Sequence, residues 1–193
     1  MAVIEGRIRD EAQTIVARYP QGRERSAIMP LLYLVQSEEG MVTREGLREV
    51  ADLLDLTTAE VESVATFYTM YRLRPTGEHL VNVCTNLACM LRGAKGVYEA
   101  AHQAAGMAHG QEISEDGMIT LHEEECIGVC DFAPAVQIDF MNHDNVNPER
   151  MRALIAELRA GTSPAPSRGP AMKSFRHASR VLAGLETPEE VQA

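Results

Sequence analysis

The chain contains four cysteines in 193 residues, and they fall in two pairs: Cys84 and Cys89 in V-C-T-N-L-A-C-M, then Cys126 and Cys130 in E-C-I-G-V-C-D. A C-x4-C pair and a C-x3-C pair with none left over constrain the fold more than any other feature. The intervening chain of 36 residues has to return and bring both pairs to one place. Three chemistries use thiols in this way: an iron-sulfur cluster, a structural zinc, or two disulfides. The N-terminus, M-A-V-I-E-G-R-I-R-D-E, intersperses charged with apolar residues and reads as an amphipathic helix of a cytosolic protein rather than a signal peptide. In a reducing cytosol structural disulfides are rare, and a chain of this length folds without them. Zinc stays open, because ligand spacings of about two to four residues occur in zinc sites.

The surroundings of each pair add local structure. Residues 79–84, H-L-V-N-V-C, read as a short strand ending at the first cysteine, and the segment after Cys89, M-L-R-G-A-K-G-V-Y-E-A-A-H-Q-A-A-G, reads as a helix closed at Gly106. The first pair is therefore expected between a strand and a helix N-terminus, whose free N–H groups favour an anionic thiolate site. Gly128, inside the second pair, lets the backbone turn back toward a metal.

At these residues the chain resembles a known family. H-L-V-N-V-C-T-N-L-A-C-M-L-R-G and E-C-I-G-V-C-D-F-A-P-A-V, together with the upstream runs R-S-A-I-M-P-L-L-Y-L-V-Q and V-A-T-F-Y-T-M-Y, resemble the [2Fe-2S] E subunit of bacterial NADH:quinone oxidoreductase, respiratory complex I, over residues 19–161. The resemblance implies an α+β fold in which an N-terminal helical bundle precedes a thioredoxin-like [2Fe-2S] ferredoxin domain. It implies one [2Fe-2S] cluster held by Cys84, Cys89, Cys126 and Cys130, with single-electron exchange to FMN on a partner subunit that oxidises NADH, and a neighbouring iron-sulfur subunit as a second partner. Similar subunits in NAD-linked hydrogenases and formate dehydrogenases are the alternative, and a zinc-stabilised interaction module is the alternative of another class.

The rest of the sequence sets the frame. The net charge of −10 and the absence of a basic-aromatic surface argue against a nucleic-acid partner. No run reaches the roughly 18 to 20 apolar residues of a membrane span, so association with the cytoplasmic face of the inner membrane would come through partner subunits. No constellation for acid-base or nucleophilic catalysis is present, and the six histidines share no ligand spacing and read as surface or locally hydrogen-bonded residues.

Residues 1–77 read as a helical domain. Ile8, Ala12, Ile15 and Tyr19 mark one helix, Ser26 to Ser37 a second, Leu47, Val50, Ala51 and Leu54 a third. Thr57-x-x-Glu60 opens a fourth as a capping box, and Phe67, Tyr68 and Tyr71 are expected in a packed core or a helix contact. Pro75-Thr76-Gly77 breaks the pattern, and residues 78–162 follow as the α/β domain, with a turn at Asp116-Gly117 and a last helix capped by Asn147-Pro148. Residues 163–193 are expected to be a proline-rich linker and a basic tail (Arg168, Lys173, Arg176, Arg180) that docks on a partner through Phe175 and Leu182.

Overall fold

The elements run α1 (Arg7–Val16), α2 (Ile28–Glu39), α3 (Arg44–Leu54), α4 (Thr58–Phe67), β1 (His79–Cys84), α5 (Leu87–Leu91), α6 (Ala94–Ala104), β2 (Ile119–Glu124), β3 (Val136–Ile138), β4 (Met141–His143), α7 (Pro148–Arg159) and α8 (Phe175–Leu182). The structure is a computed structural model that describes residues 2–108 and 110–188. The chain divides into two units, one comprising the residues up to Pro75 with Arg176–Thr187, the other Thr76–Phe175.

In the helical unit, α2 is buried on almost every side from Leu31 to Ser37, and Pro30 sits in its first turn, where a missing N–H costs nothing. α3 starts at Thr43, whose hydroxyl accepts the Gly46 N–H, and buries Leu47, Val50, Ala51 and Leu54 as their spacing predicts. Gly46 is required because a Cβ there would collide with Val35 of α2. The capping box of α4 forms: the Thr57 hydroxyl accepts the Glu60 N–H at 3.3 Å, and the Glu60 carboxylate accepts the Thr57 N–H at 3.0 Å. The aromatic trio packs ring against ring, Phe67 on Tyr68 at 4.9 Å and Tyr68 on Tyr71 at 6.4 Å between centroids, but it is not buried as a whole. Tyr71 is buried and donates its hydroxyl to the Met29 carbonyl at 3.0 Å, whereas Phe67 is 76% exposed and Tyr68 lies at the surface. α4 ends at Phe67, so the helical spacing that would bring Tyr68 inward is lost.

The expectation of a free docking tail is corrected for the described part of residues 163–193. α8 folds back as part of the helical unit, with Ala178, Ser179 and Ala183 fully buried. Ser179 accepts a hydrogen bond from Gln36 at 3.2 Å, and Arg180 pairs with Glu11 at 2.9 Å, Glu38 at 3.1 Å and Glu186. Arg176 donates to the Ser37 and Glu38 carbonyls, and Arg18 caps the end of α8 by donating to the Ala183 and Gly184 carbonyls at 2.7 and 2.8 Å. Arg180 is consumed inside the chain because α2 ends with, and α1 carries, carboxylates that the sequence separates from it by more than 130 residues. Residues 189–193 lie outside the described residues.

In the second unit the sheet order is β2-β1-β3-β4, with β1 parallel to β2 and the other pairs antiparallel. Val81 and Val83 of β1, Ile119 and Leu121 of β2, and Val136 and Ile138 of β3 form one core with Val97 and Ala101 of α6 and Met151, Leu154, Ile155 and Leu158 of α7. Asn147 caps α7 by accepting the Arg150 N–H at 2.7 Å, with Pro148 in the first turn. The Asp116-Gly117 turn forms, its first arm reduced to a single bridge between Ile113 and Thr120. β3 and β4 are joined by Asp139-Phe140, both in the left-handed region. Asp139 holds that turn, accepting the Leu80 N–H at 2.9 Å and meeting His79 Nδ1 at 2.7 Å, while Phe140 packs on Phe175 with ring centroids 5.7 Å apart. Burial raises the Asp139 carboxyl above its ordinary range, and His79 opposes the rise. His79 is buried and hydrogen-bonded, one of the two expected settings, His143 is buried rather than at the surface, and His109 lies outside the described residues. Among the described residues no helix is long and apolar enough to cross a membrane.

Candidate metal centre

The four cysteines are delivered by three neighbouring pieces of the second unit. Cys84 is the last residue of β1, and its N–H donates to the Ala135 carbonyl at 3.1 Å. Cys89 lies within α5, a single short turn capped by Asn86, and not at the N-terminus of a long helix as the sequence pattern predicted. Gly93, with φ 95°, separates α5 from α6 and divides the expected single helix in two. Cys126 and Cys130 flank a turn that requires Gly128 at φ 81°, and Cys130 opens a 3-10 turn to Phe132. The Ala133–Pro134 peptide that follows is cis.

The thiols are free and gather as two pairs. Cys84 and Cys89 share one buried cluster, and Cys126 and Cys130 flank the Gly128 turn. Cys84 and Cys89 are each 2% exposed and pack with Ala94, Ala133 and Ala135, whereas Cys126 and Cys130 are exposed. The site therefore has a dry inner pair and an outer pair at the surface. Among the described residues no three His, Cys, Asp or Glu side chains converge on a single-ion position.

Burial pushes the Cys89 thiol up to about 11, with the neighbouring Cys84 and Cys130 adding to the rise and a hydrogen bond from the Ala135 backbone N–H opposing it. Cys130 is raised by its contact with Cys126 first, then by that neighbour's charge. The Cys89 and Cys130 thiols thus resist ionisation unless cationic charge enters with them, which is the behaviour of a site completed by metal. The Ala135 N–H aimed at Cys89 is the kind of donor that stabilises a cluster sulfur. The acidic run lies alongside: Glu124 stands opposite Cys84 in the β1–β2 register, and the Glu125 carbonyl lies 3.8 Å from Cys84 Sγ. On the other side Arg92 donates to the Ala133 carbonyl at 2.7 Å.

Sequence reasoning missed two contributions. The Ala135 N–H carries no side-chain signal at all. Arg168, inside the segment read as linker, lays its guanidinium over the Phe132 ring, 5.3 Å from the centroid. Leu87 at 70% exposure, Leu91 at 78%, Met90 and Phe132 leave apolar surface around the cysteines.

Comparison with known proteins agrees with this geometry. The model of the thioredoxin-like [2Fe-2S] ferredoxin family matches residues 12–159. The chain belongs to that family. The E subunit of the NADH-quinone oxidoreductase of Mycobacterium tuberculosis is 46% identical over 188 residues, covering 96% of this chain and 73% of its own length. The corresponding protein of Thermus thermophilus, named as the second subunit of its NADH-quinone oxidoreductase, is 39% identical over 153 residues, 79% of this chain and 84% of that one. An NAD+-reducing [NiFe]-hydrogenase in the air-oxidised state shares the fold with a TM-score of 0.59 at 20% identity, over 69% of this chain and 23% of the hydrogenase chain. The residues present fit the family's [2Fe-2S] cluster: two pairs of free thiols, one buried and one exposed.

Proposed function

We propose that this chain is the electron-transfer subunit of an NADH:quinone oxidoreductase, holding one [2Fe-2S] cluster through Cys84, Cys89, Cys126 and Cys130. The observation that carries the reading is a buried pair, Cys84 and Cys89, at the end of β1 and in α5, and an exposed pair, Cys126 and Cys130, on one turn of the same unit, in a member of the thioredoxin-like [2Fe-2S] ferredoxin family. Support for the host complex comes from relatives named as NADH-quinone oxidoreductase subunits, which match most of the chain. When bound, the cluster supplies a one-electron couple, a dianion with its four thiolates that becomes a trianion on reduction.

The protein's part is to hold and tune that couple. Cys84 and Cys89, in a dry alanine-lined recess, and Cys126 and Cys130, at the surface, would hold the cluster, and the exposed pair would keep it open to electron exchange. Arg92 and the Ala135 N–H favour the reduced state, while Glu123, Glu124, Glu125 and Asp131 oppose it. The chain itself converts no substrate. NADH and FMN belong to a partner subunit, a neighbouring iron-sulfur subunit adjoins it, and these partners hold the chain peripherally at the cytoplasmic face of the membrane.

Reconstitution of the full chain with iron and sulfide tests the assignment. The wild type is expected to carry two irons and two acid-labile sulfides per chain, with visible charge-transfer absorption, and Cys130→Ala to lose most of both. Full cluster content in Cys130→Ala, or zinc without labile sulfide in the wild type, would refute the four-thiolate [2Fe-2S] reading.

A further inference from the structure

The stretch from Ser163 to Ser174 lacks periodicity, yet its middle is fastened beside the outer cysteine pair. Ser167 donates its N–H to the Asn142 carbonyl at 2.8 Å, and its hydroxyl accepts the Asp144 N–H at 2.7 Å. Arg168 then donates from Nη2 to Asp144 Oδ2 while its guanidinium covers the Phe132 ring. Phe132 ends the 3-10 turn that begins at Cys130, and its carbonyl accepts the Asn145 N–H at 2.8 Å. Gly169 follows at φ 78°, where a Cβ would press on the end of Met141. One cation thus reaches both the exit of β4 and the turn that carries Cys130.

The charges matter as much as the tether. Asp144 is largely buried, and its Oδ1 has no hydrogen-bond partner among the described residues, so the Arg168 contact at Oδ2 carries much of the compensation of this carboxylate. A guanidinium suits the position because it forms a directed hydrogen bond to a carboxylate and lies flat on an aromatic face at once; an ammonium does not.

We propose that Arg168 is a positioning residue for the cluster: through Phe132 it fixes the turn holding Cys130, and with Asp144 it forms a fixed charge pair whose balance sets how readily the cluster takes up an electron. This rests on Cys126 and Cys130 being ligands. Reduction here adds one electron from the partner's flavin, and no bond in the protein forms or breaks. Removing the cation disfavours the more negative reduced state, and removing the carboxylate favours it.

The test is a redox titration of the cluster-loaded full chain, followed by the electron paramagnetic resonance of the reduced form, for wild type, Arg168→Gln, Asp144→Asn, the double variant and Arg168→Lys. Arg168→Gln is expected to lower the potential and Asp144→Asn to raise it, each by a several-fold change in the reduction constant, where tenfold is about 59 mV for one electron. The double variant should return close to wild type. Arg168→Lys should keep the potential near wild type but lose cluster faster, since the stacked plane over Phe132 is gone. Single variants that shift in the same direction, or not at all, overturn the proposal, because a merely structural disturbance has no reason to change sign with the charge removed. If Arg168→Gln fails to retain cluster, Asp144→Asn alone decides by whether its potential rises. A wild-type chain without a [2Fe-2S] spectrum overturns the ligand assignment and this inference with it; a normal wild-type cluster with unmoved potentials overturns this inference alone.

Discussion

Arg180→Met probes how α8 is held. The guanidinium is 17% exposed and serves Glu11, Glu38 and Glu186 together, and methionine keeps most of its aliphatic stem while deleting the charge. Exposed ion pairs contribute up to about 1 kcal/mol, whereas removing one member of a buried pair costs about 3–5 kcal/mol by stranding the other. These partners are only partly buried, and Arg7 still reaches Glu11, so a loss of roughly 2 kcal/mol at neutral pH is expected. In a unit of this size that lowers its melting midpoint by about 10 °C. The pH dependence identifies the cause. Burial pushes the Glu11 carboxyl up, but hydrogen bonds from Arg180 and Arg7 outweigh it and leave the group titrating below its ordinary value. A carboxylate with a lowered folded value contributes stability that is present above its unfolded pKa, about 4.3, and is lost as pH falls through the folded value. The gap between wild type and Arg180→Met should therefore narrow below about pH 4.5 and also shrink with added salt. Urea unfolding followed by far-ultraviolet circular dichroism measures it. A variant as stable as wild type at pH 7, or a gap indifferent to both acid and salt, would refute the reasoning.

His143 is buried on β4, and burial, with Arg150 nearby, brings its imidazole down to about 4. Between pH 6.5 and 4 the unfolded chain takes up a proton that the folded chain refuses, so stability falls by up to about 3 kcal/mol. His143→Gln should remove that part of the acid sensitivity, and a difference between the two proteins that stays constant from pH 7 to 4 would show the group is not responsible. Converting Glu123, Glu124 and Glu125 together to Gln should raise the cluster potential, since the run borders Cys84 and opposes the reduced state. An unchanged or lowered midpoint in a redox titration would mean that solvent screens these carboxylates.

Some of the molecule was determined by residues acting on near neighbours. Thr57 and Glu60 form their capping box, Asn147 and Pro148 start α7, and Leu47, Val50, Ala51 and Leu54 turn inward, because these effects need only one or two helical turns to operate. The cysteine spacing announced a shared site for the same reason: each pair is local, and nothing else in the chain competes for thiols. The sequence erred where a distant surface chose the outcome. A basic segment with apolar anchors reads alike whether it meets a partner or its own chain, and only the folded helical unit puts Glu11, Glu38, Gln36 and Arg18 where α8 can use them. The sequence places Tyr68 in a packed core or a helix contact, but α4 stops at Phe67 and Tyr68 lies at the surface. The asymmetry of the site, with Cys84 and Cys89 dry and Cys126 and Cys130 at the surface, was likewise invisible in the spacing. It arises because β1 and α5 lie against the alanines at 94, 133 and 135, while the Gly128 turn projects outward. Thiol chemistry is carried by residue type, whereas the burial of each thiol belongs to the tertiary structure.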